Sequence, residues 1–493
     1  MEGVKIHEHE ETFGMKAIQP KGLYVLFLTE MWERFGYYTL TTILVLYLSQ
    51  ALHFSDDQSY LLFSALNAMM YLTPVAGGYI ADRWLGYRQS IYCGGVLLLI
   101  GYLLAATSNL HLFYLGLGFL VLGNGLFKPN VSSIVGTLYG ENDPRREGGF
   151  TLFYMGINVG ALVPPLFTGW VVNHWGWHIA FIFAGIGMLI SVVTLFAGRK
   201  ILGVCGTMPE TSTLRLSAFH RVRFYTWFIV AMVIALAVFE VVLYYPAQAN
   251  WLLIIASFVI LLFVLKMIFK NTTHWRNKML ASLILIVLSL MFWALYNQTF
   301  TSLMLFANRN LDLTLFGIPI TPEFTQFYNS FFIIAISPLL SWLWVKLDPY
   351  HLNPSIPTKF AMGIGFMGVG FVILGVAATW FGHGGIISGW WLVLSYLSQT
   401  IGELVLSPIG LAMITVLSPK ESVGTMMGVW FLTLAAAYAV SGELSLLASI
   451  PDKLNLTQSL AVYSHAFWLY GIMALILTLV SIALIPYLKK LSR

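Results

Sequence analysis

The chain is 493 residues long, 58% hydrophobic and only 10% charged, with a mean hydropathy of +0.79. A soluble protein of ordinary composition is about 25% charged, so a soluble globular domain is excluded and nucleic acid is not an expected partner. Two cysteines, Cys93 and Cys205, give neither a disulfide framework nor a metal-ligand spacing. The net charge of +5 is explained by membrane orientation rather than by an acidic partner.

Residues 1–21 are polar and too short for a signal peptide, so the first apolar run is the expected insertion signal and the tail is expected in the cytoplasm. A membrane-crossing helix needs about 20 apolar residues. On that criterion the predicted spans are 22–50, 59–80, 89–107, 110–138, 149–172, 179–198, 223–245, 249–268, 279–306, 324–346, 357–381, 389–416, 422–449 and 462–487. Fourteen crossings return both termini to one side. Of the 26 Lys and Arg, Arg34 and Lys128 fall deep inside spans, Arg309 and Lys453 in loops on one side, and the remaining 22 in the tails, loops or span ends on the other side. Positive charge collects on the cytoplasmic side, so both termini are expected there. The longest polar break, 199–222, divides 22–198 with six spans from eight more. The pair 223–268 carries only one acidic residue, Glu240, and reads as an inserted hairpin before a second six-span unit, 269–487, and a short tail, 488–493. The expected fold is an all-α integral membrane protein with two six-helix bundles and a cavity between them.

Ionisable residues inside spans are costly and mark functional pathways. In the first span Glu30, Glu33, Arg34, Tyr37 and Tyr38 fall on one helical face. Lys128, flanked by Gly123, Gly125 and Pro129, lies mid-span and is expected to face the cavity beside a carboxylate, with Glu30 and Glu33 as the candidates. Asn158 lies mid-span, where it either faces the cavity or simply bonds a neighbouring helix. Trp293, Tyr296, Asn297 and Gln298 share one span, and Tyr328 and Asn329 sit in the next. Such aromatics and amides suit polar solutes of varied shape, although aromatics also form interfacial belts. Glu403 is the one strong acid signal of the second bundle, four residues before Ser407 and Pro408, where a bend is expected. Glu443, nearer a span end, is expected to be structural. Positive charge on one bundle and an acid on the other suit a zwitterion.

The residues Glu30-Met31-Trp32-Glu33-Arg34-Phe35-Gly36-Tyr37-Tyr38 resemble the ExxERFxYY motif of the proton-dependent oligopeptide transporters, a family of the major facilitator superfamily. Gly77–Gly86 (GGYIADRWLG), Gly123–Asn130 (GNGLFKPN), Phe153–Gly160 (FYMGINVG) and Gly402–Gly410 (GELVLSPIG) resemble further motifs of that family in the same order. Phe292–Gln298 is also similar, and the inserted hairpin fits the bacterial branch. The resemblance implies a major facilitator-type fold and import of di- and tripeptides driven by an inward proton gradient, in a bacterial inner membrane. No cofactor is implied beyond the proton, and no obligatory protein partner beside the lipid bilayer. It implies a proton-coupling set of Glu30, Glu33, Arg34, Lys128 and Glu403. Lys128 and Arg34 would hold the peptide carboxylate, and Asn158, Asn329 and Glu403 its amino terminus. Tyr37, Tyr38, Tyr71, Trp293, Gln298 and Trp430 would complete the binding site. Three departures stand out: Thr41 and Asn297 replace an arginine and a glutamate found in many members, and Ser64 replaces the histidine of animal members. Thr41 motivates the alternative of another small nitrogenous cargo such as an amino acid. A membrane hydrolase has no nucleophile–base or metal-ligand motif behind it, and a non-transporting receptor sits poorly with intact coupling residues.

Overall fold

The computed structural model describes residues 19–492 apart from 141, 142, 144, 210, 211, 213, 215–217, 351, 420, 421, 452 and 453. The tail residues 1–18, Lys453, Arg493 and part of the predicted linker lie outside the described residues.

With no water in the hydrocarbon core, a spanning segment must satisfy its own backbone, which the α-helix does. The chain accordingly folds into α1 (Lys21–Gln50), α2 (Asp56–Leu72), α3 (Pro74–Ile80), α4 (Tyr87–Ala105), α5 (Leu110–Thr137), α6 (Arg146–Leu162), α7 (Pro164–Trp175), α8 (Trp177–Ala197) and the short α9 (Arg199–Leu202). Next come α10 (Ala218–Tyr244), α11 (Pro246–Phe269), α12 (Thr273–Tyr296), α13 (Ser302–Asn310), α14 (Thr325–Leu347), α15 (Ile356–Trp380), α16 (Gly389–Leu417), α17 (Val423–Ser445) and α18 (Leu456–Leu491). Among the described residues, 13 helical segments are long and apolar enough to cross a membrane. The charged α1, 30 residues long, is not one of these but reaches about 45 Å at 1.5 Å per residue.

Three crossings are broken rather than straight. Pro74 and Pro164 each sit at the first position of a new helix, where a missing N–H costs nothing, so α2 gives way to α3 and α6 to α7. The predicted continuous span 279–306 is also interrupted: α12 stops at Tyr296, a 3-10 turn covers Asn297–Phe300, and Thr301 leaves helical geometry at φ −115, ψ −97. Side-chain bonds replace the ladder there, with the Gln298 Oε1 accepting from Ser302 at 2.6 Å and from Ser445 at 3.0 Å. By contrast α16 runs on through Pro408. The helix α10 begins at Ala218, inside the segment expected to be linker.

Two hydrophobic cores result, one built mainly on α1, α2, α4, α5 and α8, the other on α12, α15, α16 and α18. Helices in lipid gain little from apolar burial against each other and associate through close packing of small residues. Between α4 and α5, a Cβ on Gly94 would fall 2.7 Å from Gly123 O, and one on Gly123 the same distance from Gly94 O. Gly402 and Gly363 let α16 approach α15 in the same way, which fixes the neighbouring Glu403. Replacing Gly123 by Ala is expected to cost about 1–3 kcal/mol through overpacking. It should appear as a lower apparent melting temperature in detergent, and an unchanged melting point would contradict this packing.

We call the end where the chain enters α1 proximal and the opposite end distal. At the distal end β1 (Leu311–Asp312) and β4 (Ile387–Ser388) pair in parallel, and β2 (Thr314–Leu315) and β3 (Ile318–Pro319) form a hairpin.

Candidate functional site

Helical spacing on α1 puts Glu30, Glu33 and Arg34 together. The Arg34 Nε donates to Glu33 Oε2 at 2.5 Å and lies 3.2 Å from Glu30 Oε1, while its Nη2 donates to Glu33 Oε1 at 2.9 Å. All three side chains are no more than 5% exposed. One guanidinium therefore serves two carboxylates, and Glu30 Oε2 is buried without a hydrogen-bond partner among the described residues. Arg34 also lies 5.1 Å from the centre of the Tyr37 ring, whose hydroxyl donates to Asn67 Oδ1 at 2.8 Å.

The expected Lys128–carboxylate pair is not formed. Arg34 has taken both acids, and the Lys128 ammonium rests 3.8 Å from the centre of the Tyr71 ring. Among the described residues no carboxylate comes within 4.0 Å of it. A cation over an aromatic face is stabilised by the ring quadrupole, but its charge remains available to an anion. Tyr71 in turn packs on Tyr438 of α17, with ring centres 5.3 Å apart.

On the second bundle, the Asn329 Nδ2 donates to Glu403 Oε2 at 2.8 Å and to Thr400 Oγ1 at 3.2 Å. The Tyr296 hydroxyl donates to Asn329 Oδ1 at 3.2 Å. α12, α14 and α16 thus orient one carboxylate toward the space between the bundles. That space holds two adjoining lobes of about 70 and 180 Å³ that share Tyr38, Tyr154, Tyr296, Phe300 and Glu403 in their walls. Asn158 and Asn329 line the smaller lobe; Tyr37, Tyr71, Trp293 and Asn297 line the larger. The Trp293 Nε1 is buried without a partner among the described residues.

Not every sequence-predicted residue reaches these lobes. Glu30, Glu33, Arg34 and Lys128 are in neither wall: the first three are buried, whereas Lys128, over the Tyr71 ring, is only half-buried. Gln298 is fully buried and spent on the α13–α17 contact, donating to Ser441 O and Oγ at 3.0 Å each. Trp430 fills the second core against Gly410. As placed, these last two are packing residues. Thr41 is 2% exposed and adds no charge to the cavity. The sequence reading missed Tyr154 and Tyr438 as wall residues. Tyr154 precedes Asn158 by four residues, so helical spacing could have found it; nothing local marks Tyr438. A separate cleft of about 190 Å³ between α11, α12 and α17 has only Ser257 and Thr433 as hydroxyl-bearing lining and no titratable group, so it offers nothing to a polar solute.

The bundles are joined at the distal end. Arg309 of α13 grips Asp56 of α2 through Nη1 to Oδ2 at 2.6 Å and Nη2 to Oδ1 at 2.8 Å. Ile450 N donates to the same Oδ2 at 3.0 Å. A bidentate guanidinium–carboxylate pair of this kind fixes geometry as well as energy.

The POT family model matches residues 88–460. A dipeptide and tripeptide permease A of Edwardsiella piscicida is 36% identical over 478 residues, covering 96% of this chain and 96% of that one. The chain belongs to the POT family. Among solved structures, a peptide transporter POT in complex with sulfate matches this POT chain with a TM-score of 0.84 at 33% identity, over 98% of this chain and 97% of that one. A POT family transporter in complex with 5-aminolevulinic acid matches with a TM-score of 0.83 at 30% identity, over 95% and 97%. The fold is therefore of the major facilitator type, and the POT chain is a multi-pass membrane transporter rather than an enzyme.

Proposed function

We propose that this chain is a proton-coupled symporter that imports di- and tripeptides by alternating access across a bacterial inner membrane, with both termini cytoplasmic. The observation that carries the reading is the split of charge. Among the described residues Lys128 of the first bundle has no carboxylate partner, and Glu403 of the second is held by Asn329 and borders the cavity. A zwitterion bridges such a pair: its carboxylate goes to Lys128, its ammonium to Glu403, Asn329 and Asn158, and its side chains to Tyr38, Tyr154, Trp293 and Tyr438. Arg34, already serving two acids, takes the coupling role with Glu30 and Glu33 rather than the substrate. The homologous permeases and the resemblance of the motifs support the peptide cargo, and the 22 Lys and Arg on one side support the orientation.

In this orientation the distal end is external, and the Asp56–Arg309 pair that joins the bundles there acts as its seal. Protonation of the acid cluster loosens its hold on Arg34, and the bundles rock between a state sealed outside and one sealed inside. The proton is the coupling ion and no other cofactor is called for. Uptake of labelled dialanine into proteoliposomes tests the reading. Accumulation under an inward proton gradient, abolished by a protonophore, is expected; no uptake by folded, correctly inserted protein would overturn it. A second cargo class, an amino acid or similar small nitrogenous solute, is favoured by one observation: the buried Thr41 supplies no second cation for a peptide carboxylate. Unlabelled dipeptides failing to compete for uptake would move the assignment there.

The latch makes its own prediction. Asp56→Asn removes the charge that Arg309 faces, a charge-assisted bond worth about 1.5–3 kcal/mol. The external seal is expected to open about tenfold more often. A cysteine replacing the buried wall residue Phe300 should then react faster with an impermeant maleimide added outside. Equal labelling rates would deny the latch its role.

A further inference from the structure

A second acid sits in the same seal. Glu323 belongs to a single 3-10 turn, Pro322–Phe324, between the distal hairpin and α14. This turn packs on α7 of the other bundle. Glu323 is only 4% exposed. A Cβ built on Gly169 of α7 would fall 2.6 Å from Glu323 Oε2, so the carboxyl is pressed against the backbone of the opposite bundle. That oxygen is buried with no hydrogen-bond partner among the described residues.

Among the described residues, no cation faces it. On α7 the one titratable residue is His174, five positions further on and turned away, its ring stacked on Trp170 at 4.6 Å with a ring nitrogen 2.9 Å from Trp170 O. On α13 Arg309 is committed to Asp56. On α14 the nearer titratable group is Tyr328, stacked edge-on against Phe324, and Lys346 stands near the far end of that helix. An ionised carboxylate here loses its water and meets no counter-charge, only hydrogen bonds from the Thr321 hydroxyl and its own backbone N–H, whereas a neutral acid can be buried far more cheaply. When the bundles separate at this end, the same group returns to water, where an unpaired Glu is ionised at neutral pH.

We propose that Glu323 is a proton-dependent positioning residue of the external seal: the seal closes over the neutral acid and not over the carboxylate. The inference rests on the alternating-access reading above. On closing, the carboxylate takes one proton from the external medium; on opening, the acid returns it to that medium. The proton is not carried across, so it adds nothing to the transport stoichiometry. It makes the closing step sensitive to external pH, separately from the cluster on α1 that drives uphill uptake.

The test needs no substrate. With Cys93 and Cys205 replaced by Ser, spin labels go on cysteines at His174 of α7 and Phe316 of the hairpin, both exposed. Their separation is measured in proteoliposomes by pulsed EPR at about pH 6 and about pH 9, either side of the range in which a buried Glu titrates. A single short distance is expected at the lower pH, and a second, longer population at the higher. In Glu323→Gln the longer population should be lost at both, and Glu323→Met should behave alike should the glutamine variant fold poorly. A distance distribution that ignores pH, or one that still responds to pH in both neutral variants, overturns the proposal. The expected pH response in a protein that shows no dialanine uptake would overturn the transport reading while leaving the role of Glu323 at this end standing. Uptake without the pH response would do the reverse.

Discussion

Glu403→Gln is expected to raise the KM for dialanine by about one to two orders of magnitude, the equivalent of one charge-assisted hydrogen bond at about 1.5–3 kcal/mol. Among the described residues its carboxylate is the only acid in the walls of either lobe, and Asn329 already aims it. Glutamine keeps the shape and can still accept from Asn329 Nδ2, so the fold should be untouched. What it cannot supply is negative charge for the substrate ammonium. The measurement is concentration-dependent counterflow at equal pH on both sides, which isolates binding and reorientation from the proton gradient. A wild-type KM in the variant would remove Glu403 from the substrate site, and a loss of maximal rate alone would make it a coupling residue only.

Arg34→Ala is expected to be the most damaging single change in the first bundle. Among the described residues its guanidinium is the one cation within 4.0 Å of Glu30 and Glu33, both nearly fully buried. Removing one member of a buried ionic group leaves the others uncompensated, at about 3–5 kcal/mol. The variant should therefore lose both proton-driven uptake and several degrees of apparent melting temperature in detergent. The triple variant Glu30→Gln, Glu33→Gln, Arg34→Gln separates the two effects. With no charge left to strand, it should regain much of the melting temperature, yet still fail to accumulate dialanine under a gradient. A triple variant that accumulates normally would show the cluster to be purely structural.

The two predictions use residues that differ in how far the sequence exposes them. The spacing of Glu30, Glu33 and Arg34 is local: three side chains within two turns must share a face, and the salt bridges follow once the helix forms. Glu403 is legible because an acid standing alone in an apolar span is costly to bury and so marks a cavity or a pathway. Lys128 shows the limit of such reasoning. Its neighbours in sequence give no hint that Arg34 would claim both glutamates and leave it over Tyr71, since that outcome depends on how α1, α2 and α5 are rotated against one another. Gln298 shows the same limit from the other side. It is a polar residue in a motif-like stretch, and the packing of α13 on α17 consumes its whole hydrogen-bonding capacity.

The sequence by itself determined the membrane environment, the positions of the crossings to within a few residues, the family and the charged face of α1. These are set by composition, by the need of each spanning backbone to satisfy itself, and by contacts within one or two helical turns. Only the tertiary structure decided which side of each apolar helix faces the cavity, which acids and bases meet, and which residues seal the distal end. Helices that are apolar all round carry little periodic signal of their own orientation. Asp56 and Arg309 are 253 residues apart in the chain, Gly169 and Glu323 lie on opposite bundles, and Tyr438 reaches Tyr71 from the other half of the molecule. Pairings of that range are fixed by the summed packing of all the helices, where close approach at a few glycines decides which helix faces meet.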